Sequence, residues 1–275
     1  MQKNPSIQLI ALDLDGTLLH EDKHISEYTL RILQELSERG YQLVPTTGRS
    51  LTGIPESILK IPNVRYAICS NGANLCNVQT AELIRDTAIP IETALKIIDY
   101  LNNFPLYLYL HTNKGTIRST GWAESGLASR FPHIHFEENN VPDLTSYLLT
   151  RPVKIWKIGI FTFDTATFTA LLEHGSPCSS VSMVRTGECN IELNSILASK
   201  GNGLAALCDN LHIPMSEVLA IGDNQNDISM LQLSGVSVAM GNAQSDVKKA
   251  ADYTTKTNEE DGAAYFLEQY LLSKH

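Results

Sequence analysis

The run Ile7–Leu19, IQLIALDLDGTLL, decides how the rest of the chain is read. It is nearly unbroken in apolar residues as far as Leu14, which suits a strand covered on both faces, as in a parallel sheet flanked by helices. It then carries Asp13 and Asp15 and closes with Gly16 and Thr17 after them. Two carboxylates two residues apart on extended backbone project to the same side. At the carboxyl end of a buried parallel strand they face the crevice in which open α/β sheets bind their ligands.

Outward from this run, His24–Arg39 has helical spacing, with Ile25, Leu30, Leu33 and Leu36 on one stripe, Ser26 as N-cap and Gly40 just past the end. Tyr41–Pro45 reads as a second buried strand that runs into Thr46-Thr47-Gly48-Arg49. A short helix, a third strand at Ala67–Ser70 and a turn at Asn71-Gly72 follow. Strand, helix, strand, helix, strand predicts a parallel sheet with right-handed crossovers. The texture changes near Leu83: a helix over Ile89–Phe104, then LYLYLHT, a Gly- and Ser-bearing stretch with Trp122, and VKIWKIGIFTF. Leu106, Leu108 and Leu110 alternating with Tyr107, Tyr109 and His111 suit antiparallel strands. The βα rhythm then returns. It gives a helix over Lys200–Leu211, a strand over Val218–Ile221 leading into GDNQND, a helix over Ile228–Leu233, a strand over Val236–Met240 ending in GNA, and a last amphipathic helix over Gly262–Leu272. The expected class is α/β: a Rossmann-like parallel-sheet core of residues 1–84 and 189–275, with an inserted α+β domain at 85–188.

A chain of 275 residues has room for two domains, and an apolar content of 43% is enough for a sizeable core in each. A formal charge of −9 argues against a nucleic-acid partner, which needs clustered Lys and Arg, while a few local cations still allow an anionic small ligand. The five cysteines, Cys69, Cys76, Cys178, Cys189 and Cys208, form no C-x-x-C pair and read as free thiols of a reducing compartment. The first residues lack the apolar stretch of a signal peptide, and no run approaches membrane-spanning length. The expectation is a soluble cytoplasmic protein with no membrane partner.

Four strand ends or helix starts carry polar groups: Asp13 with Asp15, Thr47 with Gly48, Lys200, and Asp223 with Asn226 and Asp227. Strand carboxyl ends of a parallel sheet lie along one edge, so these distant positions can converge. Several carboxylates in one place need a cation, and all-oxygen ligands suit a hard divalent ion such as Mg²⁺. Lys200 and nearby backbone amides would hold an anion. A metal, an anion site and an adjacent carboxylate together describe phosphoryl transfer.

On these residues the sequence resembles the haloacid dehalogenase-like (HAD) superfamily, and within it the Cof-type hydrolases with a type IIB (C2B) cap. DLDGTLL at 13–19, TTGR at 46–49, ASKG at 198–201 and GDNQNDISML at 222–231 look like the four motifs in order. SNGA at 70–73, VAMGNA at 238–243 and EDGAA at 260–264 look like the accompanying punctuation. The resemblance implies Asp13 as nucleophile, forming an aspartyl-phosphate, and Asp15 as general acid and then base, a role that favours a raised pKa. It implies that the Leu14 and Gly48 amides, the Thr47 hydroxyl, Lys200 and Asn226 bind phosphate. Mg²⁺ would be held by Asp13, Asp223 and the Asp15 carbonyl, with Asp227 orienting a metal-bound water or Lys200. The cap is expected to close over the core site, with hinges near 83–86 and 187–190.

Several residues keep two readings. Arg49 is open between a contact to the substrate and a surface salt bridge. Asn71 is open between lining the site entrance and supplying turn chemistry ahead of Gly72, with the turn preferred. His133 and His135 form an H-x-H pair that lacks Cys, Asp or Glu at ligand spacing. The expected function is a Mg²⁺-dependent phosphomonoesterase acting on a small phosphorylated metabolite, such as a sugar phosphate or phosphorylated cofactor. The alternatives are a phosphomutase-type phosphotransferase, for which Arg118, Arg130, Arg151, Lys154 and Lys157 are too spread out, and a non-catalytic phosphate-binding module. Oligomeric state is not legible.

Overall fold

The computed structural model describes residues 6–120 and 139–273. Trp122, Arg130, His133 and His135 lie outside the described residues. The chain divides into two compact units, Met1–Asp86 with Ala198–His275, and Thr87–Leu197.

The first unit is built on a five-stranded parallel sheet whose order is Tyr253–Thr254, Val236–Ala239, Val218–Gly222, Leu9–Leu12, Gln42–Pro45. The four residues Leu9–Leu12 are all buried, because helices such as Glu27–Glu38 cover the sheet. Ser26 caps that helix by accepting from the Thr29 amide at 3.0 Å, and Ile32, Leu33 and Leu36 form its buried stripe. From Leu9–Leu12 the chain moves to Gln42–Pro45 on one side, whereas from Val218–Gly222 it moves to Val236–Ala239 on the other. The strand order therefore reverses between these two central neighbours, which is where open α/β sheets leave a crevice at their carboxyl ends. Leu12 lies opposite Ile221, so Asp13 and Asp223 emerge beside each other at that point.

The third strand differs from expectation. Tyr66–Cys69 touches the parallel sheet through one bridge, Thr46 to Ile68, and its ladder runs antiparallel to Asn74–Asn77, which pairs in turn with Leu83–Asp86. The turn before Asn74 folds the chain straight back, and antiparallel pairing follows from so short a connection.

The second unit is α+β. A six-stranded sheet has the order Val181–Arg185, Asn190–Ser195, Ile155–Phe161, Tyr107–Thr112, Gly115–Ser119, Asn140–Val141, antiparallel except for the last pair. The helices Ile91–Leu101, Leu144–Thr150 and Thr165–His174 contribute to its apolar core. The sequence reading returns the chain to the first unit at residue 189. In the structure Asn190–Ser195 is instead an interior strand of this second sheet, and the division falls between Leu197 and Ala198. The alternation in LYLYLHT does not separate a wet face from a dry one, since Tyr109 and His111 are buried too. Lys157, one of the spread-out cations, is buried with them: it bonds Glu192 Oε1 at 2.6 Å, and the Tyr109 hydroxyl donates to the same oxygen at 3.0 Å. Burial, helped by Lys157 and Arg118, drives the His111 pKa far down. Among the described residues no helix is long and apolar enough to cross a membrane.

Candidate active site

The convergence expected from the sequence is met within the first unit. Asp13 follows the strand Leu9–Leu12, and its amide donates to the Ile221 carbonyl at 3.1 Å, which ties it to the neighbouring strand. Asp223 follows Val218–Gly222, and Lys200 is the first residue of the helix Lys200–Leu211, whose N-cap Ser199 accepts from the Asn202 amide at 3.0 Å. The Lys200 side chain is 1% exposed and donates to Asp13 Oδ1 at 2.5 Å and to Asp227 Oδ1. The other Asp227 oxygen accepts from the Asp223 and Asn224 amides, both at 2.9 Å. Asp227 thus orients Lys200 and shapes the loop that carries Asp223.

Asp13, Asp223 and Asp227 offer oxygens that all lie within 4.8 Å of one another. Burial, then the charges of Asp227 and Asp15, raise the Asp13 pKa to about 6 despite Lys200, and burial with Asp13 and Asp227 raises that of Asp223 to about 9. Burial alone would lower the Lys200 pKa, but the two carboxylates hold it above its ordinary value, so the lysine stays charged. Three acids and one ammonium leave a net charge of about −2 in the fully ionised cluster. An all-oxygen donor set with uncompensated negative charge fits a hard divalent cation and offers nothing soft. Asn226 Oδ1, in the same loop, is buried without a partner, a second mark of a place that expects a donor or a cation.

Gly16 and Thr17 shape the same spot. Gly16 has φ +80°, and a Cβ there would overlap the Asp223 carboxylate. The Thr17 hydroxyl, buried, reaches Asp223 Oδ1 at 3.3 Å. Thr47 is buried; its amide donates to the Ile68 carbonyl at 2.8 Å and its hydroxyl oxygen accepts from the Arg49 amide at 3.1 Å, which leaves the hydroxyl proton to donate. Leu14 is buried and its carbonyl accepts from the Thr17 and Leu19 amides, so the DGTLL segment turns tightly around it, while Gly48 lies between Thr47 and Arg49. Asn71 does more than turn chemistry: it has φ +58°, and its Oδ1 accepts from Asn226 Nδ2 at 3.0 Å.

Asp15 departs most from expectation. Its carboxylate lies outside the acidic cluster and accepts from Arg49 Nε and Nη2, each at 2.7 Å, and from Lys23 Nζ at 3.0 Å. Burial pushes its pKa up, but the bonds and charges of Arg49 and Lys23 outweigh that and hold it well below the usual carboxylate range. A raised value was expected; two cations on one carboxylate reverse it. Arg49 is therefore neither a lone surface pair nor free, since its Nη1 also donates to the Gly53 carbonyl at 2.9 Å.

Sequence reasoning missed Lys23, which sits in the charge-mixed run HEDKHI without a motif around it. It also left the punctuation without a role. Asn242 Nδ2 donates to the Gly16 carbonyl at 2.9 Å, Asn258 Nδ2 donates to the Leu19 carbonyl at 3.0 Å, and Asp261 Oδ1 accepts from Ser26 and Thr29 hydroxyls at 2.6 and 2.9 Å. These segments brace the DGTLL turn and the helix after it.

Residues 10–267 match the haloacid dehalogenase-like hydrolase family. A 5-amino-6-(5-phospho-D-ribitylamino)uracil phosphatase of Bacillus subtilis is 30% identical, with 96% of this chain and 97% of that protein aligned. A pyridoxal phosphate phosphatase of Escherichia coli is also 30% identical, over 96% of this chain and 99% of that protein. The solved structure of a haloacid dehalogenase-like hydrolase from B. subtilis superposes with a TM-score of 0.83 at 28% identity, covering 96% of this chain and all (100%) of that one.

Proposed function

The chain belongs to the haloacid dehalogenase-like hydrolases, in their Cof-type phosphatase branch, and on that premise we propose that it is a Mg²⁺-dependent phosphomonoesterase acting on a small phosphorylated metabolite through an aspartyl-phosphate on Asp13. The observation that carries the reading is Lys200 bonded to both Asp13 and Asp227 beside Asp223, with Asp15 held separately by Arg49. On this reading one carboxylate attacks, and the second, bonded apart from it by Arg49, handles the proton.

Asp13, Asp223 and the Asp15 main-chain carbonyl would hold the ion, which when bound supplies charge neutralisation between the carboxylates and the incoming phosphate. Lys200, the Thr47 hydroxyl, the Leu14 and Gly48 amides and Asn226 would take the phosphoryl oxygens; Asn226 Nδ2 gives one hydrogen to Asn71 and has its second to donate. An Asp13 oxygen forms a bond to phosphorus while the ester P–O bond breaks, and the leaving oxygen takes a proton from Asp15. Water then attacks the aspartyl-phosphate, gives its proton to Asp15, and releases phosphate and free Asp13. The ionised Asp15 of this structure is the form the second step needs. For the first step it must carry a proton, and a bound dianion that draws Arg49 toward itself would raise its proton affinity.

Two relatives of equal identity act on a ribitylaminouracil phosphate and on pyridoxal phosphate. Their difference leaves the substrate to direct assay. A panel of phosphate esters with Mg²⁺ and with EDTA is the test: turnover in Mg²⁺ that EDTA removes supports the reading, and metal-independent hydrolysis refutes it.

A further inference from the structure

Asp15 is bonded by more positive charge than it can neutralise. Arg49 alone satisfies both of its oxygens, at 2.7 Å each, and yet Lys23 Nζ also lies 3.0 Å from Oδ1. The three groups together carry one net positive charge. Arg49 commits three of its five N–H donors, two to Asp15 and one to the Gly53 carbonyl, whereas the Lys23 ammonium has no second hydrogen bond or ion pair among the described residues, so two of its three hydrogens remain to donate. Its side chain is 30% exposed, hence accessible to a ligand.

The loop is built to put it there. Lys23 has φ +70°, a left-handed conformation that disfavours a side chain, and the segment is closed by Lys23 N to His20 O at 2.9 Å and His20 N to His24 O at 3.0 Å. The loop is anchored at its start, where the Leu19 carbonyl accepts from Asn258, and the Glu21 amide donates to Glu259 at 2.7 Å. The adjacent acid, Asp22, bonds His24 and forms no ion pair with Lys23 among the described residues.

We propose that Lys23 is a specificity-determining residue that reads a second anionic group, a carboxylate or a further phosphate, on the leaving-group side of the phosphate ester. It rests on the reading of Asp15 as the group nearest the leaving oxygen. A ligand anion meeting Lys23 would use its spare donors without removing Arg49 from Asp15.

The test compares binding of three ligands by isothermal titration in Mg²⁺: glycerol 3-phosphate, 3-phosphoglycerate, which replaces its CH₂OH by a carboxylate, and propane-1,3-diol bisphosphate. The protein carries Asp13→Asn, so the comparison does not depend on turnover. The expected result is that at least one doubly anionic ligand binds about fivefold more tightly than glycerol 3-phosphate, a preference lost in Lys23→Gln and kept in Lys23→Arg. Equal affinities, no detectable binding, a preference that survives Lys23→Gln, or an equal loss for all three ligands overturns it, the last because Lys23 would then act only through Asp15 or the phosphoryl group. Wild-type protein that turns over no ester of the wider phosphate panel while the Lys23-dependent preference stands would refute the phosphatase reading and leave Lys23 as the reader of a second anion on a bound phosphate ligand.

Discussion

Arg49 and Asp15 are joined as a two-pronged pair, Nε to Oδ2 and Nη2 to Oδ1, each at 2.7 Å. The pair holds ionised the carboxylate that the proposed mechanism needs both protonated and not. Replacing Arg49 by Met removes the larger of its two cationic partners. The Asp15 carboxyl pKa is then expected to rise toward the ordinary carboxylate range, followed by ¹³C NMR titration of labelled protein. Turnover should fall by about one to two orders of magnitude, as for a mispositioned acid–base group. A titration that does not move would show that Lys23 and the loop suffice.

Metal and pH should act on the same groups. Without a divalent ion Asp13 and Asp223 titrate near 6 and 9, both above the unfolded-chain value of 3.8. The folded state then binds more protons than the unfolded one between those limits, so these groups make stability fall as pH rises through that window. Mg²⁺ selects the ionised carboxylates. The stabilisation it adds should be larger at pH of about 8.5 than at about 5, read from denaturation midpoints in Mg²⁺ against EDTA. An increment that is equal at both would contradict the carboxylate assignment.

Asp227 is wholly buried and serves three donors: Lys200 and the amides of Asp223 and Asn224. Asp227→Ala strips one partner from a buried ammonium and leaves two amides unsatisfied, at a cost of about 3 kcal/mol in unfolding free energy. Asp227→Asn retains an acceptor oxygen and should lose less. Urea unfolding in EDTA isolates this from any effect on metal.

Gly16 combines a left-handed backbone with a close approach to Asp223. Gly16→Ala is expected to destabilise the protein by about 1 kcal/mol and to weaken Mg²⁺ binding, because the added methyl displaces an implied ligand. Unchanged Mg²⁺ affinity, measured by titration, would argue that Asp223 is not used.

The parallel core was legible because its strands are short apolar runs that end in polar residues, and the helices Lys200–Leu211 and Ile228–Leu233 run over the residues read for them. The convergence of Asp13, Lys200 and Asp223 followed from strand polarity alone. What escaped was set by non-local contact. The Asn71-Gly72 turn marks a reversal after Tyr66–Cys69 but not the strand it pairs with, and Asn190–Ser195 falls on the core side of the boundary read at 189 until its neighbours Val181–Arg185 and Ile155–Phe161 claim it. Likewise the charge state of Asp15 depends on Arg49 and Lys23, at different loop positions, meeting at one carboxylate. Motif spacing names residues; it does not give the sign of their pKa shifts.

The most direct test of the central claim is hydrolysis of a generic aryl phosphate in Mg²⁺ by wild-type protein and by Asp13→Asn, with both checked for folding by denaturation. The expected result is turnover by the wild type that drops to the buffer background in the variant. Wild-type-level turnover by Asp13→Asn would contradict the assignment of Asp13 as the nucleophile.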